Sequence, residues 1–406
     1  MLMQTVEDAA KIVCFWTDRR SGIRYSYLFR DVKGHLMFCF LHASDLHLGK
    51  PFGSYPEDVR HRLRQARHDS IDALARAARS GGASHILLAG DTFDAETPTR
   101  ATMRQALNAM TSNADLTWVL MPGNHDHLGA AEIWNTLGRD CPSNVVLALS
   151  PEVLPLAAGA VLLPAPCTGR APGRDLTEWM DNAASGDAIR IGLAHGSIRD
   201  FRSVDEMGGE GGAVIAPDRA KRAGLDYLGF GDWHGRIEVS PNTWYSGAPE
   251  ADSFKPHRPA GALLVSLAGQ GATPQVSEVE TGQIAWTRLM LDLLDGEDAV
   301  AHLMQSLPDL SLRSKTMMDI HATGRTGLAA HAALSQAIEN AKPDFLWADS
   351  DLTQLSLTHE AVDLSQIDDR GAVRSAAEAL AAAAAGGDTV AATALNRLYT
   401  YALELK

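Results

Sequence analysis

HILLAGD, residues 85–91, runs through four apolar side chains, turns at Gly90 and ends on Asp91. An apolar run this short, closed by a glycine, reads as a buried strand that delivers a carboxylate to its end. Upstream, residues 57–80 place Val59, Leu63, Ile71, Leu74 and Ala78 at helical intervals and stop at Gly81-Gly82, a helix-ending signal. Before them, FCFLHAS (38–44) reads as another buried strand. Downstream, 99–111 reads as a helix and TWVLMPG (117–123) as a third strand. Three β–α repeats in a row imply a layered α/β domain. VLLPAP (161–166), IRIGLAHG (189–196), YLGFGDWHG (227–235), WYSGAP (244–249) and residues 262–267 continue the series, most ending in a polar or glycine-rich loop.

The pattern changes near residue 285. Residues 286–294, 316–323 and 352–358 read as strands, 297–307 and 328–341 as helices, and 371–406 as two helices broken at 386–388. The expected organisation is an N-terminal extension (1–36), a catalytic domain (37–285), a small α+β capping domain (286–365) and a C-terminal helical segment (366–406). Met37 stands directly before the first core strand, so translation is expected to start there, with residues 1–36 artefactual or disordered.

The chain has 406 residues, 45% of them hydrophobic and 21% charged. That is ordinary for a soluble globular protein of two or three domains and excludes wholesale disorder. Cys14, Cys39, Cys141 and Cys167 lie far apart with no CxxC pair. Neither a disulfide framework nor a thiolate zinc site is indicated, and a cytoplasmic location is expected. No apolar run is long enough to span a bilayer. The net charge of −14 argues against a protein coated in positive charge for nucleic acid. Much of that acidity falls outside the expected catalytic domain: residues 291–406 hold 8 basic and 17 acidic side chains.

Five segments concentrate Asp, His and Asn at expected strand ends: Asp45-Leu46-His47, Gly90-Asp91, Gly123-Asn124-His125-Asp126, His195-Gly196 and Gly231-Asp232-Trp233-His234. In a layered α/β domain strand ends converge on one edge, where loops build sites. Carboxylate oxygens together with imidazoles suit Mn²⁺, Fe²⁺ or Zn²⁺. Asp45, His47, Asp91, Asn124, His195, Asp232 and His234 are too many ligands for one cation and suit two with a shared carboxylate. Two such cations can activate a water and stabilise an in-line displacement at phosphorus, so phosphoester hydrolysis is the chemistry indicated.

The ordered set D-x-H, GD, GNHD, H and GxxH resembles the calcineurin-like metallophosphoesterase superfamily. FLHASDLHLGKPF, ILLAGDTFD, VLMPGNHDH and WYSGAPE narrow the likeness to bacterial SbcD/YhaO-type DNA repair exonucleases. It covers residues 38–285 well and 286–360 weakly. The resemblance implies a four-layer α/β/β/α sandwich carrying a small α+β capping domain and C-terminal helices. It implies that Asp45, His47 and His234 hold a first metal, that Asp91 bridges, and that Asn124, His195 and Asp232 hold a second. Manganese is the expected metal, with iron and zinc as alternatives. His125 would sit over the phosphate, stabilising developing charge or protonating the leaving oxygen, and Asp126 would orient it.

One position departs from the family. The last segment is usually GHxH, and here Asp232 replaces the first histidine. Other candidates are the basic run Arg60, His61, Arg62, Arg64, Arg67 and His68, which either contacts a DNA backbone or forms a solvated helix face. Lys255-Pro256-His257-Arg258 could bind phosphate, and Trp233 could stack on a base or pack beneath the site. The leading reading is a DNA exonuclease. A small-molecule or protein phosphoesterase is the alternative within the same chemistry. A different class of reading makes the chain chiefly a partner subunit of an SMC-like ATPase, docked through residues 371–406. A homodimer is the other expected source of tight DNA binding, and no membrane partner is expected.

Overall fold

The structure is a computed structural model that describes residues 29–30, 36–157, 159–199, 214–255, 259–358 and 371–404. Its backbone separates into two compact units, Met1–Ala251 with Lys255–Gln283, and Asp252–Phe254 with Ile284–Lys406.

The first unit runs β1 (Phe29–Arg30), β2 (Leu36–Ala43), α1 (Glu57–Ser80), β3 (His85–Ala89), α2 (Arg100–Ser112), β4 (Thr117–Met121), α3 (Ala131–Asp140), β5 (Val145–Leu147), β6 (Leu154–Ala157), β7 (Ala160–Ala165), β8 (Ile189–His195), α4 (Arg219–Arg222), β9 (Tyr227–Gly231), β10 (Ile237–Ser240), β11 (Thr243–Tyr245), β12 (Gly261–Leu267) and β13 (Gln275–Glu280). Local chemistry sets the helix ends. Glu57 and Asp58 place negative charge in the first turn of α1, and the Gly81 amide closes its last turn on the Ala77 carbonyl. At α2 the Thr99 side chain accepts from the Thr102 amide at 3.1 Å.

Two sheets form. One has the order β13-β12-β2-β3-β4-β5, with β1 paired to β2; the other has the order β10-β11-β9-β8-β7-β6. The inner strands β2–β5 are mutually parallel, and so are β7, β8, β9 and β11. Every residue of β3 and β9 is buried, as expected of parallel strands covered on both faces. One core cluster joins α1, α2 and α3 to the first sheet through Ile71, Leu74, Leu107, Trp118 and Leu137. A second lies between the sheets, where Phe40, Leu87 and Val119 meet Leu162, Ile191 and Tyr227. A third covers the outer face of the second sheet, where Leu163 and Phe230 pack with Met180 and Ala220. The unit is therefore the expected α/β/β/α sandwich. Within each sheet the strands that bear site motifs, β2, β3 and β4 in the first and β8 and β9 in the second, run parallel and point their carboxyl ends the same way.

The second unit contains β14 (Ala285–Leu293), α5 (Ala299–Ser306), α6 (Leu310–Arg313), β15 (Thr316–Gly327), α7 (Leu328–Ala341), β16 (Trp347–Asp351), β17 (Leu355–Thr358), α8 (Ala372–Ala385) and α9 (Thr389–Glu404). Its sheet is wholly parallel, with β15 central. Leu291, Met318 and Ile320 pack one face against Leu303, Leu334 and Ile338 of α5 and α7.

Several expectations change. β16 was not anticipated, and the strand expected over 352–358 begins at Leu355. The C-terminal helices do not form a segment of their own: Ala377, Ala381, Leu395 and Tyr399 are buried with Leu328 and Ala332 of α7. Phe29 and Arg30 pair antiparallel with Met37 and Leu36, so the N-terminal extension is not wholly outside the fold. Residues 1–28 and 31–35, Cys14 among them, lie outside the described residues. Among the described residues, no helix is long and apolar enough to cross a membrane.

Two buried histidines make the first unit acid-sensitive. His42 is fully buried, its Nδ1 2.9 Å from the Tyr227 hydroxyl, and burial lowers its pKa to about 3. Burial lowers His85 to about 4. Both values lie below the ordinary 6.5, so the unfolded chain takes up protons first as pH falls. Stability is unaffected above pH 6.5 and declines below it, by on the order of 3 kcal/mol per histidine by pH 4. Denaturant midpoints should fall steeply between pH 7 and 4.5, and His85→Gln should flatten that slope. A slope unchanged by the substitution would contradict the assignment.

Candidate metal centre

The site lies at the carboxyl ends of β2, β3, β4, β8 and β9. Asp45 and His47 follow β2, Asp91 follows β3, and Asn124 and His125 follow β4. His195 ends β8, and Asp232 and His234 follow β9. Amide hydrogen bonds knit the first two loops together: Asp45 to the Gly90 carbonyl at 3.1 Å, His47 to the Asp91 carbonyl at 3.0 Å. Five non-glycine residues among those described have positive φ, and four of them are Asp45 (57°), His47 (44°), Asp91 (53°) and Asp232 (95°). Left-handed backbone costs roughly 1–2 kcal/mol per residue. Strain clustered at one spot marks a place where side-chain direction outranks backbone comfort.

Glycines let the loops converge. A Cβ on Gly123 would lie 2.1 Å from Asp91 Oδ1, and one on Gly231 would lie 2.1 Å from the Ala89 carbonyl oxygen. With both positions bare, three overlapping donor groups form: Asp45, His47 and His234; His47, Asp91 and His125; Asp45, Asp91 and His195. In each, the donor atoms lie within 4.8 Å of one another. Asp91 Oδ2 stands 3.6 Å from His47 Nε2 and 3.5 Å from His195 Nε2, while its Oδ1 accepts the His125 amide at 2.9 Å. His195 Nδ1 meets the Ala89 carbonyl at 2.7 Å, which puts its proton on Nδ1 and turns Nε2 inward as an acceptor. His47 Nδ1 lies 3.1 Å from Asp94 Oδ1 in the same way, and its Nε2 is 3.2 Å from His234 Nε2.

Electrostatics follows from this crowding. Burial would raise the Asp91 carboxyl, but His195, His47 and His125 overcome it and hold it well below the usual range. Burial would lower His195, but Asp91 and Asp45 raise it well above its ordinary value. Burial, reinforced by Asp45 and Asp91, raises Asp232. Asp45 is fully buried and Asp91 nearly so; packed carboxylates of this kind are costly unless cations compensate them. His195 Nε2 and Asn124 Oδ1 are buried without a hydrogen-bond partner. Inward-facing imidazole nitrogens, an unpartnered amide oxygen and three carboxylates are a donor set that fits divalent cations.

Two expectations about individual residues are corrected. Asp126 does not orient His125. Its carboxylate is fully buried and takes the Phe93 amide at 3.0 Å and the Gly123 amide at 2.7 Å, clamping the β3 and β4 loops together. Burial and then the Asp91 charge raise its pKa to about 7. The group facing His125 Nδ1 is the Asp94 carbonyl oxygen, at 2.8 Å. Asp94, which also faces His47, was missed; its signal was the second aspartate of GDTFD. Arg67 is not available to DNA either: it is buried, and Nη1 donates to the Leu46 carbonyl at 2.7 Å. On the same helix Arg60 and Arg64 pair with Glu57. Trp233 packs against the outer core of the second sheet. Residues 256–258, most of the Lys255–Arg258 candidate, lie outside the described residues.

The family model for calcineurin-like phosphoesterases matches residues 39–257, more than half of the chain and all of the clustered residues. The chain belongs to the calcineurin-like phosphoesterase family. This metallophosphoesterase is 27% identical over 290 residues to the uncharacterized metallophosphoesterase YhaO of Bacillus subtilis (strain 168), and the match covers 66% of each chain. Its fold overlaps that of TT1561 of Thermus thermophilus at 10% identity and a TM-score of 0.38, covering 60% of this chain and 99% of that one. GAP50, the anchor in the inner membrane complex of Plasmodium, overlaps at 10% identity and 0.36, with 60% and 85% covered. The metallophosphoesterase is thus a metal-dependent phosphoester hydrolase by family.

Proposed function

We propose that this metallophosphoesterase is a dinuclear phosphodiesterase that acts on DNA as a repair exonuclease. The observation that carries the dinuclear reading is the place of Asp91 Oδ2, about equally far from His47 Nε2 and His195 Nε2. Asp45, His47 and His234 would hold one cation, Asn124, His195 and Asp232 the other, and Asp91 both. When bound, two divalent cations supply an activated water and neutralise charge building at phosphorus. His125, with Nδ1 turned to the Asp94 carbonyl, is left its Nε2 side to meet a phosphoryl oxygen or the leaving oxygen. Asp126 holds the two loops that present Asp91 and Asn124 at a fixed separation.

The DNA assignment rests on the likeness of the motif segments to DNA repair exonucleases. A net charge of −14 leaves little general grip on DNA, so an SMC-like ATPase partner or a second copy of the chain would supply it. Free thiols at Cys39, Cys141 and Cys167 fit a reducing cytoplasm. The test is purified protein with Mn²⁺ against labelled single- and double-stranded DNA, bis-p-nitrophenyl phosphate and p-nitrophenyl phosphate. DNA and the diester should be cleaved. Hydrolysis of the monoester alone would make the chain a phosphatase.

Asp232 sets metal preference in this reading. Its carboxylate adds charge where an imidazole is usual, favouring Mn²⁺ over softer ions. Asp232→His should keep turnover and shift the Zn²⁺/Mn²⁺ affinity ratio toward zinc by about ten-fold, read by competitive metal titration. An unchanged ratio would contradict this role.

A further inference from the structure

A slot of about 150 Å³ is lined in part by Asn124, His195 and Asp232, the residues assigned above to the second cation. Cys167, Leu176, Val214 and Ile215 give it an apolar wall, Thr177 and Ser197 add hydroxyl groups, and Arg170 and Arg174 also border it. The loop that forms one side is held at both ends. At one end, the Cys167 amide donates to the Pro122 carbonyl at 3.1 Å and the Leu128 amide to the Cys167 carbonyl at 2.9 Å, tying the loop to the turn that carries Asn124. At the far end, buried Arg219 donates to the Thr177 carbonyl at 2.9 Å and pairs with Asp181. Between these anchors, PCTGRAPGR (166–174) carries two arginines and no acidic residue in a chain of net charge −14. Both arginine side chains belong to exposed residues.

Hydrolysis at the metal centre needs none of these features. A phosphoryl group between the donor groups would be bound without an apolar slot, and a sugar phosphate or a phosphoserine would offer that slot nothing flat or apolar. A nucleoside would offer both an apolar ring face and, in a polynucleotide, a neighbouring phosphate. Apolar walls reward burial of the ring, and guanidinium groups pair with phosphate oxygens in forked geometry.

We propose that this slot is the nucleoside subsite of the enzyme: it takes the base and sugar attached to the scissile phosphate, and Arg170 and Arg174 hold the next phosphate of the strand. The assignment rests on the phosphodiesterase reading and deepens it. Selectivity for nucleotide esters is then built into the first unit, on a loop locked to the metal-bearing turn.

The test uses the full chain. Calorimetric titration in Mn²⁺ compares thymidine 5′-monophosphate with inorganic phosphate. The nucleotide should bind at least about ten-fold tighter, and Val214→Phe, which narrows the slot, should remove that advantage. For the arginines, kcat/KM is measured on a thymidine dinucleotide and on bis-p-nitrophenyl phosphate. Arg170→Gln with Arg174→Gln should lower the dinucleotide-to-diester ratio by about ten-fold or more. Equal binding of nucleotide and phosphate by the unaltered chain would overturn the subsite, and so would an unchanged ratio in the arginine variant. Loss of all diester hydrolysis in the unaltered chain, with monoester cleavage retained, would instead overturn the phosphodiesterase reading; the nucleotide-against-phosphate comparison would still judge the slot.

Discussion

Asp91→Asn should lower phosphodiester turnover by about a thousand-fold or more, with the fold intact. The amide keeps an oxygen to accept the His125 amide, which now reaches Oδ1 at 2.9 Å, so the backbone around the turn has no reason to move. What disappears is the negative charge facing His47 and His195 together. The thermal stabilisation that Mn²⁺ gives the unaltered protein should shrink to that of a single weakly held ion. Turnover and the Mn²⁺-induced shift in Tm should therefore fall together. If turnover falls while the shift stays whole, Asp91 is not shared between two cations. The same variant separates an enzyme from a partner subunit: a chain that mattered chiefly as a subunit would retain its cellular role with Asn at this position.

The second large effect is on stability. Gly231→Ala places a methyl group 2.1 Å from the Ala89 carbonyl oxygen, 2.7 Å from His195 Nδ1 and 2.7 Å from Ser44 Cβ. Two of those three belong to the first sheet and its exit loop, and the third to the second sheet, so the methyl wedges the sheets apart where they meet. The carbonyl it strikes is the one that fixes the His195 ring. We expect a loss of about 3 kcal/mol with weaker metal binding, read by urea unfolding and metal titration. Gly138 is the control. It lies within α3, where an added Cβ would meet no atom within 4 Å, so Gly138→Ala should stabilise by roughly 0.5–1 kcal/mol. Similar effects at the two positions would mean that the sheets do not approach as closely at Gly231 as described.

The sandwich was legible because its inner strands are buried on both faces and therefore read as unbroken apolar runs, as HILLA in β3 and YLGF in β9 do. Two of the strands that escaped notice are of another kind. β13, QVSEVE, buries none of its residues, and β16, WADSD, carries three polar residues in five. Nothing in such composition distinguishes them from loops; they are strands because β12 and β15 offer them edges to pair with. The candidate ligands were legible because aspartate, asparagine and histidine followed apolar runs in a set order. The second rank of the site was not. Asp94 is one aspartate among many until the turn after β3 folds it back on His47, and Asp126 sits beside His125 in sequence while its carboxylate points to two amides. Arg67 looked like surface charge on an arginine-rich helix, and only burial reveals it as a brace for the Asp45–Leu46 turn.

The order in which the strands join has a consequence for biosynthesis. β12, residues 261–267, is inserted between β13 and β2, and β8 and β9 carry the histidine and the turn that complete the cluster. A nascent chain that has exposed Asp45, His47 and Asp91 to solvent still lacks His195, Asp232 and His234, and its first sheet still has an open flank along β2. Ion capture is therefore a late event, completed only after some 280 residues have left the ribosome and both sheets have closed. The ion then acts as a latch on a finished structure rather than as a nucleus for folding, and it protects the folded form in proportion to how tightly it binds.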